Sequence, residues 1–196
     1  MGKKREAEWM AEQLMKVKTG TLQEIGECCA HLYTMESFLC QKLNEIMRLV
    51  ADYEKQSIWQ GKLETFGPFA LLLEQYITNA KSDEPIVVYR GAYLSDEMIR
   101  SYQKFMRSKS SDSDDDYMSP SFPAFTSCSR NRSKAEEFGN VLFIIELPFK
   151  RSIDVSSCSD YPGEEEELIK SGVLFVIEHV EYDSASKKHL IFLSVI

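Results

Sequence analysis

The chain changes character at Pro85, and that change limits what it can fold into more than any other feature. Residues 1–80 carry a single proline, and their apolar positions recur at helical spacing through Leu22, Ile25, Cys29, Leu32, Leu39, Leu43, Ile46 and Val50. This half is therefore expected to be helical. A first helix spans about Glu6 to Lys18, and Thr19-Gly20-Thr21 breaks it. Thr21 then caps a long second helix, with Glu24 three residues on to complete a capping box. A third helix is expected after Gly67, with Pro68 at its first position and Phe69, Leu72, Leu73, Tyr76 and Ile77 on its buried face.

Beyond Pro85 short β-rich runs alternate with turn residues: Ile86 to Arg90, Phe122 to Ser127, Val141 to Leu147, Ser152 to Val155, Glu164 to Ile169, Val173 to Val180 and Leu190 to Val195. Two short helices interrupt them. One runs from Ser95, its N-cap, to Arg107 with Met98, Ile99, Tyr102 and Phe105 inward, and the other covers about Ser133 to Phe138. Strands dispersed among helices without regular βαβ alternation indicate an α+β fold. The expected division is a helical lobe over 1–84 and a β-rich core over 85–196, within one compact unit. Ser108 to Ser119, rich in Ser and Asp, reads as a surface loop.

Charge and cysteine content narrow the function. A formal charge of −8 argues against broad binding to nucleic acid or anionic lipid, both of which need a basic field. The five cysteines are odd in number with no CxxC pair, and the three histidines are scattered, so neither a metal site nor a disulfide framework is expected. A reducing compartment fits: the cytoplasm, or a host cytosol reached by injection. The amino terminus lacks the apolar core of a signal peptide, and no stretch approaches a membrane span in length. Cys28 and Cys29 are expected to pack as small apolar groups.

The acidic run Glu164-Glu165-Glu166-Glu167, between Tyr161-Pro162-Gly163 and Leu168-Ile169, is costly as plain structure. In an extended strand Glu164 and Glu166 share a face about 6–7 Å apart, and like charges that close raise each other's pKa. Such a run stands either in a solvated turn or where chemistry uses it. Two earlier stations favour chemistry. Val88-Tyr89-Arg90-Gly91 ends an apolar run in a guanidinium, whose rigid fork suits phosphate, followed by a glycine that permits close backbone approach. Phe125-Thr126-Ser127-Cys128-Ser129 places two hydroxyls, Ser127 and Ser129, on one strand face ahead of the basic turn Arg130-Asn131-Arg132.

Taken in order, Tyr89-Arg90-Gly91, Phe125 to Ser129 and Pro162 to Glu166 resemble the Arg, Ser-Thr-Ser and Glu-x-Glu motifs of mono-ADP-ribosyltransferases of the arginine-serine-glutamate class, over roughly residues 85 to 196. The resemblance implies two packed, roughly perpendicular sheets with an NAD cleft between them and the helical lobe alongside. It implies that Arg90 holds NAD phosphate or ribose, that the Gly91 backbone meets the nicotinamide carboxamide, and that Ser127, with Ser129 nearby, lines the cleft and braces the catalytic glutamate. Counting from Pro162-Gly163 and back from Gly172 makes Glu166 that glutamate and Glu164 the first of its pair; Glu165 with Glu167 is the other register. Glu165 is then expected on the opposite face, and Glu167 stands where the family commonly has an aliphatic residue. Cys128 replaces the usual middle Thr, with its side chain expected away from the cleft.

The implied reaction breaks the bond from ribose to nicotinamide through an oxocarbenium-like state, which a carboxylate on the ribose hydroxyl stabilises. Glu166 fits that role. A second carboxylate orients an incoming guanidinium and takes its proton, and Glu164 fits that one. The resemblance therefore implies NAD as substrate, no metal, and a protein acceptor modified at arginine. Alternatives are an NAD glycohydrolase using water in the same cleft and a catalytically silent interaction module.

Overall fold

The computed structural model describes residues 3–35, 37–50, 52–80, 84–108, 120–148 and 151–196. The loop expected over Ser108 to Ser119 lies, but for Ser108, outside them. Five helices precede the first strand: α1 (Lys3–Val17), α2 (Leu22–Thr34), α3 (Phe38–Arg48), α4 (Gln56–Gln60) and α5 (Leu63–Thr78). The capping box forms as expected. Glu24 N donates to Thr21 Oγ1 at 3.2 Å and Thr21 N to Glu24 Oε2 at 2.7 Å, which stabilises the helix start by about 1 kcal/mol.

The long second helix is in fact two. Met35 adopts an extended backbone at ψ 141° and Ser37 enters α3 from an extended conformation, so the chain turns between them. The break changes which side chains are buried. Cys29, Leu32, Leu39 and Leu43 pack inside, whereas Leu22 and Val50 are exposed. Helix α5 begins at Leu63, so Pro68 lies within it instead of opening it. Its expected buried face holds: Phe69, Leu73, Tyr76 and Ile77 are buried, with Leu72 half-buried against them. Helices α2 and α5 touch at Gly26, where a Cβ would stand 2.3 Å from the Tyr76 ring, so only glycine allows that approach.

The second half supplies β1 (Ile86–Ala92), α6 (Asp96–Ser108), β2 (Ser121–Phe122), β3 (Thr126–Ser129), α7 (Arg132–Glu136), β4 (Val141–Leu147), β5 (Ser152–Asp154), β6 (Glu166–Ile169), β7 (Val173–Asp183) and β8 (Lys188–Val195). The expected run from Phe122 to Ser127 is split into β2 and β3 around Pro123, which has no amide hydrogen to give a ladder. Ser95 caps α6 through a 3.3 Å bond from Met98 N. That helix buries Ile99 and packs Tyr102 and Met106, leaving the expected inward residues Met98 and Phe105 exposed; its apolar stripe runs through 99, 102 and 106.

The strands hydrogen-bond in the order β2-β7-β8-β4-β1-β3-β6-β5. The two expected sheets are thus two ladders joined at one register pair, Tyr89 with Ser129. Each has its own core. Val88, Val141, Phe143, Ile145, Phe175, Ile177, Ile191 and Leu193 fill the first, with α6 against it. The second is shared with the helical lobe: Phe125, Val155 and Leu168 are buried with Leu32, Tyr33, Leu73 and Ile77. Polar ties reinforce that contact. Tyr33 Oη donates to Phe125 O at 3.2 Å, and His31 Nδ1 donates to Cys158 O at 2.7 Å. The lobe therefore braces the strands carrying the serine and glutamate motifs.

Candidate active site

Strand β6 pairs antiparallel with β3, placing Ser127 opposite Leu168 and Ser129 opposite Glu166. Opposed residues on paired strands point to the same side, so Ser127, Ser129 and Glu166 share one face and Cys128 and Glu167 take the other. Arg90 reaches this face from β1, where its Nη1 donates to Ser127 O. Ser127 Oγ donates to Glu166 Oε1. Ser129 Oγ accepts from Asn131 N at 2.9 Å and donates to Glu164 O at 2.6 Å.

Together Tyr89, Arg90, Gly91, Ser127, Ser129, Glu164 and Glu166 line a cavity of about 210 Å³, closed on one side by Lys134, Ala135 and Phe138. All six residues proposed from the sequence reach it. Gly91 is required there for a reason the sequence hides: a Cβ would stand 2.1 Å from Ala135 O and 2.6 Å from Phe138 O. The close approach it permits is that of α7 and the turn after it.

The acidic run is not the straight strand expected from Glu164. Pro162–Glu164 forms a 3₁₀ turn, Glu165 is left-handed at φ 49°, and the strand starts at Glu166. A left-handed glutamate costs about 1 kcal/mol, and the neighbouring turn holds it. Arg130 N donates to Glu165 O at 3.0 Å, and Asn131 Nδ2 to Glu165 Oε1 at 3.3 Å. Asn131 also caps α7, its Oδ1 accepting from Ser133 N at 3.1 Å, so the helix runs from Arg132 to Glu136 where about Ser133 to Phe138 was expected. Through this turn Glu164 lines the cavity beside Glu166, while Glu165, also exposed, does not line it.

Glu166 is 8% exposed. Burial pushes its carboxyl above the ordinary range, the Ser127 hydroxyl draws it back, the Glu164 charge raises it and the Arg90 guanidinium lowers it. Cys128 faces the core, and burial pushes its thiol up to about 12, which makes it a poor nucleophile. Glu167 is 3% exposed on that same opposite face and accepts from Ser152 Oγ at 2.6 Å. Sequence reasoning left Glu167 without a partner because Ser152 is fifteen residues away, and it passed over Asn131 because the glutamate it clamps lies far along the chain.

Among the described residues no cluster of three or more His, Cys, Asp or Glu could hold a metal. Residues 3–195 match the family model described as NAD:arginine ADP-ribosyltransferase. Among solved structures, the ADP-ribosyltransferase HopU1 of Pseudomonas syringae pv. tomato DC3000 superposes with a TM-score of 0.71 at 22% identity, covering 95% of this chain and 87% of that one. Plx2a, an ADP-ribosyltransferase toxin from Paenibacillus larvae, gives 0.66 at 17% identity over 100% and 97%. The eucaryotic mono-ADP-ribosyltransferase ART2.2, solved with NADH, gives 0.59 at 19% identity over 97% and 76%. No curated protein sequence matches the chain.

Proposed function

The chain belongs to the family of NAD:arginine ADP-ribosyltransferases, and from that premise we propose that it transfers ADP-ribose from NAD to an arginine side chain of a protein, releasing nicotinamide. One observation carries the reading: Glu164 and Glu166 open into the same cavity as Arg90 and Ser127. A cavity of this size is below the span usual for a whole drug-sized ligand, so it suits the nicotinamide and ribose end of NAD, with the remainder running outward past Arg90.

Arg90 binds phosphate or ribose oxygen, and its bond to Ser127 O ties that grip to β3. Gly91 offers backbone to the carboxamide, and Ser129 holds the Glu164 turn. Glu166, oriented by Ser127, accepts a hydrogen bond from the ribose hydroxyl, and its charge opposes the positive charge that grows as the bond to nicotinamide breaks. Nicotinamide leaves with the bonding pair. Glu164 orients the guanidinium, whose nitrogen pair forms the new bond to the ribose carbon while the displaced proton passes to the carboxylate.

We further propose that residues 1–84 act as a lobe of the catalytic unit formed with 85–196; the core shared by Phe125, Val155 and Leu168 with the helices supports this. The setting we propose is a cytosol, including a host cytosol entered as a toxin or effector, in keeping with the likeness to a bacterial toxin. The described residues include no helix long and apolar enough to cross a membrane.

The test is incubation with labelled NAD and either a cell lysate or agmatine, a small guanidinium acceptor. The wild type should label protein and agmatine, and Glu166→Gln should do neither. Nicotinamide release without any transfer would identify a glycohydrolase, and no release at all would overturn the enzyme reading.

A further inference from the structure

The two acids of the cleft are held by different means. Glu166 stands in β6, where the ladder to β3 fixes its backbone and Ser127 Oγ its carboxylate. Glu164 precedes that ladder, in the 3₁₀ turn, and the residue joining the two acids is the left-handed Glu165. An exposed glutamate has no intrinsic reason to stay at φ 49°, a region that glycine, and to a lesser degree Asn and Asp, visit routinely. The position of Glu164 therefore depends on what grips its successor.

Three consecutive residues supply the grip. Ser129 Oγ donates to Glu164 O at 2.6 Å, Arg130 N to Glu165 O at 3.0 Å and Asn131 Nδ2 to Glu165 Oε1 at 3.3 Å. The first two end on backbone carbonyls. Asn131 is the one of the three that grips a side chain, and its amide has no choice of orientation. Its Oδ1 accepts from Ser133 N at 3.1 Å and from Lys134 N at 3.4 Å, which an NH₂ group cannot do, so Nδ2 is turned to Glu165. A bond from an amide to a carboxylate is charge-assisted. One side chain thus joins the start of α7, which with the turn after it closes one side of the cavity, to the turn that carries Glu164.

We propose that Asn131 is a positioning residue for the acceptor step: through Glu165 it sets where Glu164 stands, and so decides how much of the cleaved NAD ends on a guanidinium instead of on water. The role rests on the proposed transfer reaction and on Glu164 orienting the acceptor. Asn131 does not itself line the cavity. Misplacing a positioned group by about 1 Å can cost up to about 10²-fold in rate, so a slackened turn is felt at the step that uses Glu164. Breaking the bond to nicotinamide uses Arg90, Ser127 and Glu166, which lie on β1, β3 and β6, strands joined by ladders that form without the Asn131 side chain.

The full chain is assayed with NAD and agmatine, and free nicotinamide and ADP-ribosyl-agmatine are followed together. In Asn131→Ser the hydroxyl keeps the helix cap and gives up the amide donor to Glu165. The ratio of transfer to release should fall about five- to tenfold, with nicotinamide release within about twofold of wild type. Glu165→Ala removes the other end of the bond and should lower the ratio by a similar factor. The double variant should fall no further than either single one, because both remove the same bond. Asn131→Asp, which keeps the cap and sets a second carboxylate beside Glu165, should lower the ratio further than Asn131→Ser. Equal losses of transfer and release in Asn131→Ser would reduce the residue to a helix cap and overturn the proposal. An unchanged ratio in that variant, or losses that multiply in the double variant, would overturn it too. A wild type that releases nicotinamide and labels no agmatine would overturn the transfer reading together with this role, whereas transfer by the wild type with an unchanged ratio in the variants would overturn this role alone.

Discussion

Two successive residues of one strand make the same bond in opposite directions. Glu166 accepts from Ser127 on the cleft side of β6, and Glu167 accepts from Ser152 on the other side. Both are buried, and burial is the main reason both carboxyls lie above their ordinary range. Their surroundings separate them. Glu166 has Arg90 and a second acid, Glu164, in the same cavity, whereas Glu167 faces Arg130 and Asp154, which already pair with each other. A buried serine and glutamate pair is therefore not in itself a catalytic signature; what stands across the cavity decides what the carboxylate can do.

Exchanging each acid breaks the comparison most sharply. Glu166→Gln should lower nicotinamide release by about 10² to 10³-fold, since it removes the charge that opposes the developing cation, and its melting midpoint should not fall. Glu167→Leu should leave nicotinamide release within about twofold, because it touches neither ribose nor Ser127. Comparable losses in both variants would end the distinction between the faces.

Ser127→Ala should lower kcat by about tenfold and move the acid limb of the rate profile. The sign follows from the hydrogen bond. Ser127 draws the Glu166 pKa down, so its removal lets that pKa climb, and activity, which needs the carboxylate, should appear at higher pH than in the wild type. An acid limb unchanged in Ser127→Ala would contradict the pairing.

Glu167 also predicts how stability depends on pH. A carboxyl raised in the folded state favours folding below its ordinary value of 4.5, and that contribution is lost as pH rises through the elevated value. Wild type should therefore lose stability relative to Glu167→Leu as pH rises above 4.5, as read in denaturant titrations at several pH values. The smallest effect concerns the lobe. Tyr33→Phe removes the bond to Phe125 O and should cost about 1 kcal/mol in the melt of the whole chain, without splitting it into two transitions.

Much of this arrangement was legible in the sequence because it rests on local or periodic signals. The Thr21 to Glu24 capping box, the α5 face and the alternation that puts Ser127 with Ser129 all follow from near neighbours. What escaped depends on distant partners or on backbone that no pattern encodes. The apolar spacing of residues 22–50 runs through the turn at Met35, and only Ser37 marks the start of α3. The left-handed Glu165 is imposed by Arg130 and Asn131 from 35 and 34 residues away, so four glutamates read as strand when only the last two are. The register of the pair could be counted from Pro162 and Gly172, but its geometry could not.

The most direct measurement follows both products of one reaction, free nicotinamide and ADP-ribosyl-agmatine, in Glu164→Ala beside the wild type. Transfer to the guanidinium should disappear while nicotinamide release continues, since Glu166, Ser127 and Arg90 are untouched. Equal loss of both products, or undiminished transfer, would contradict the division of labour between the two acids.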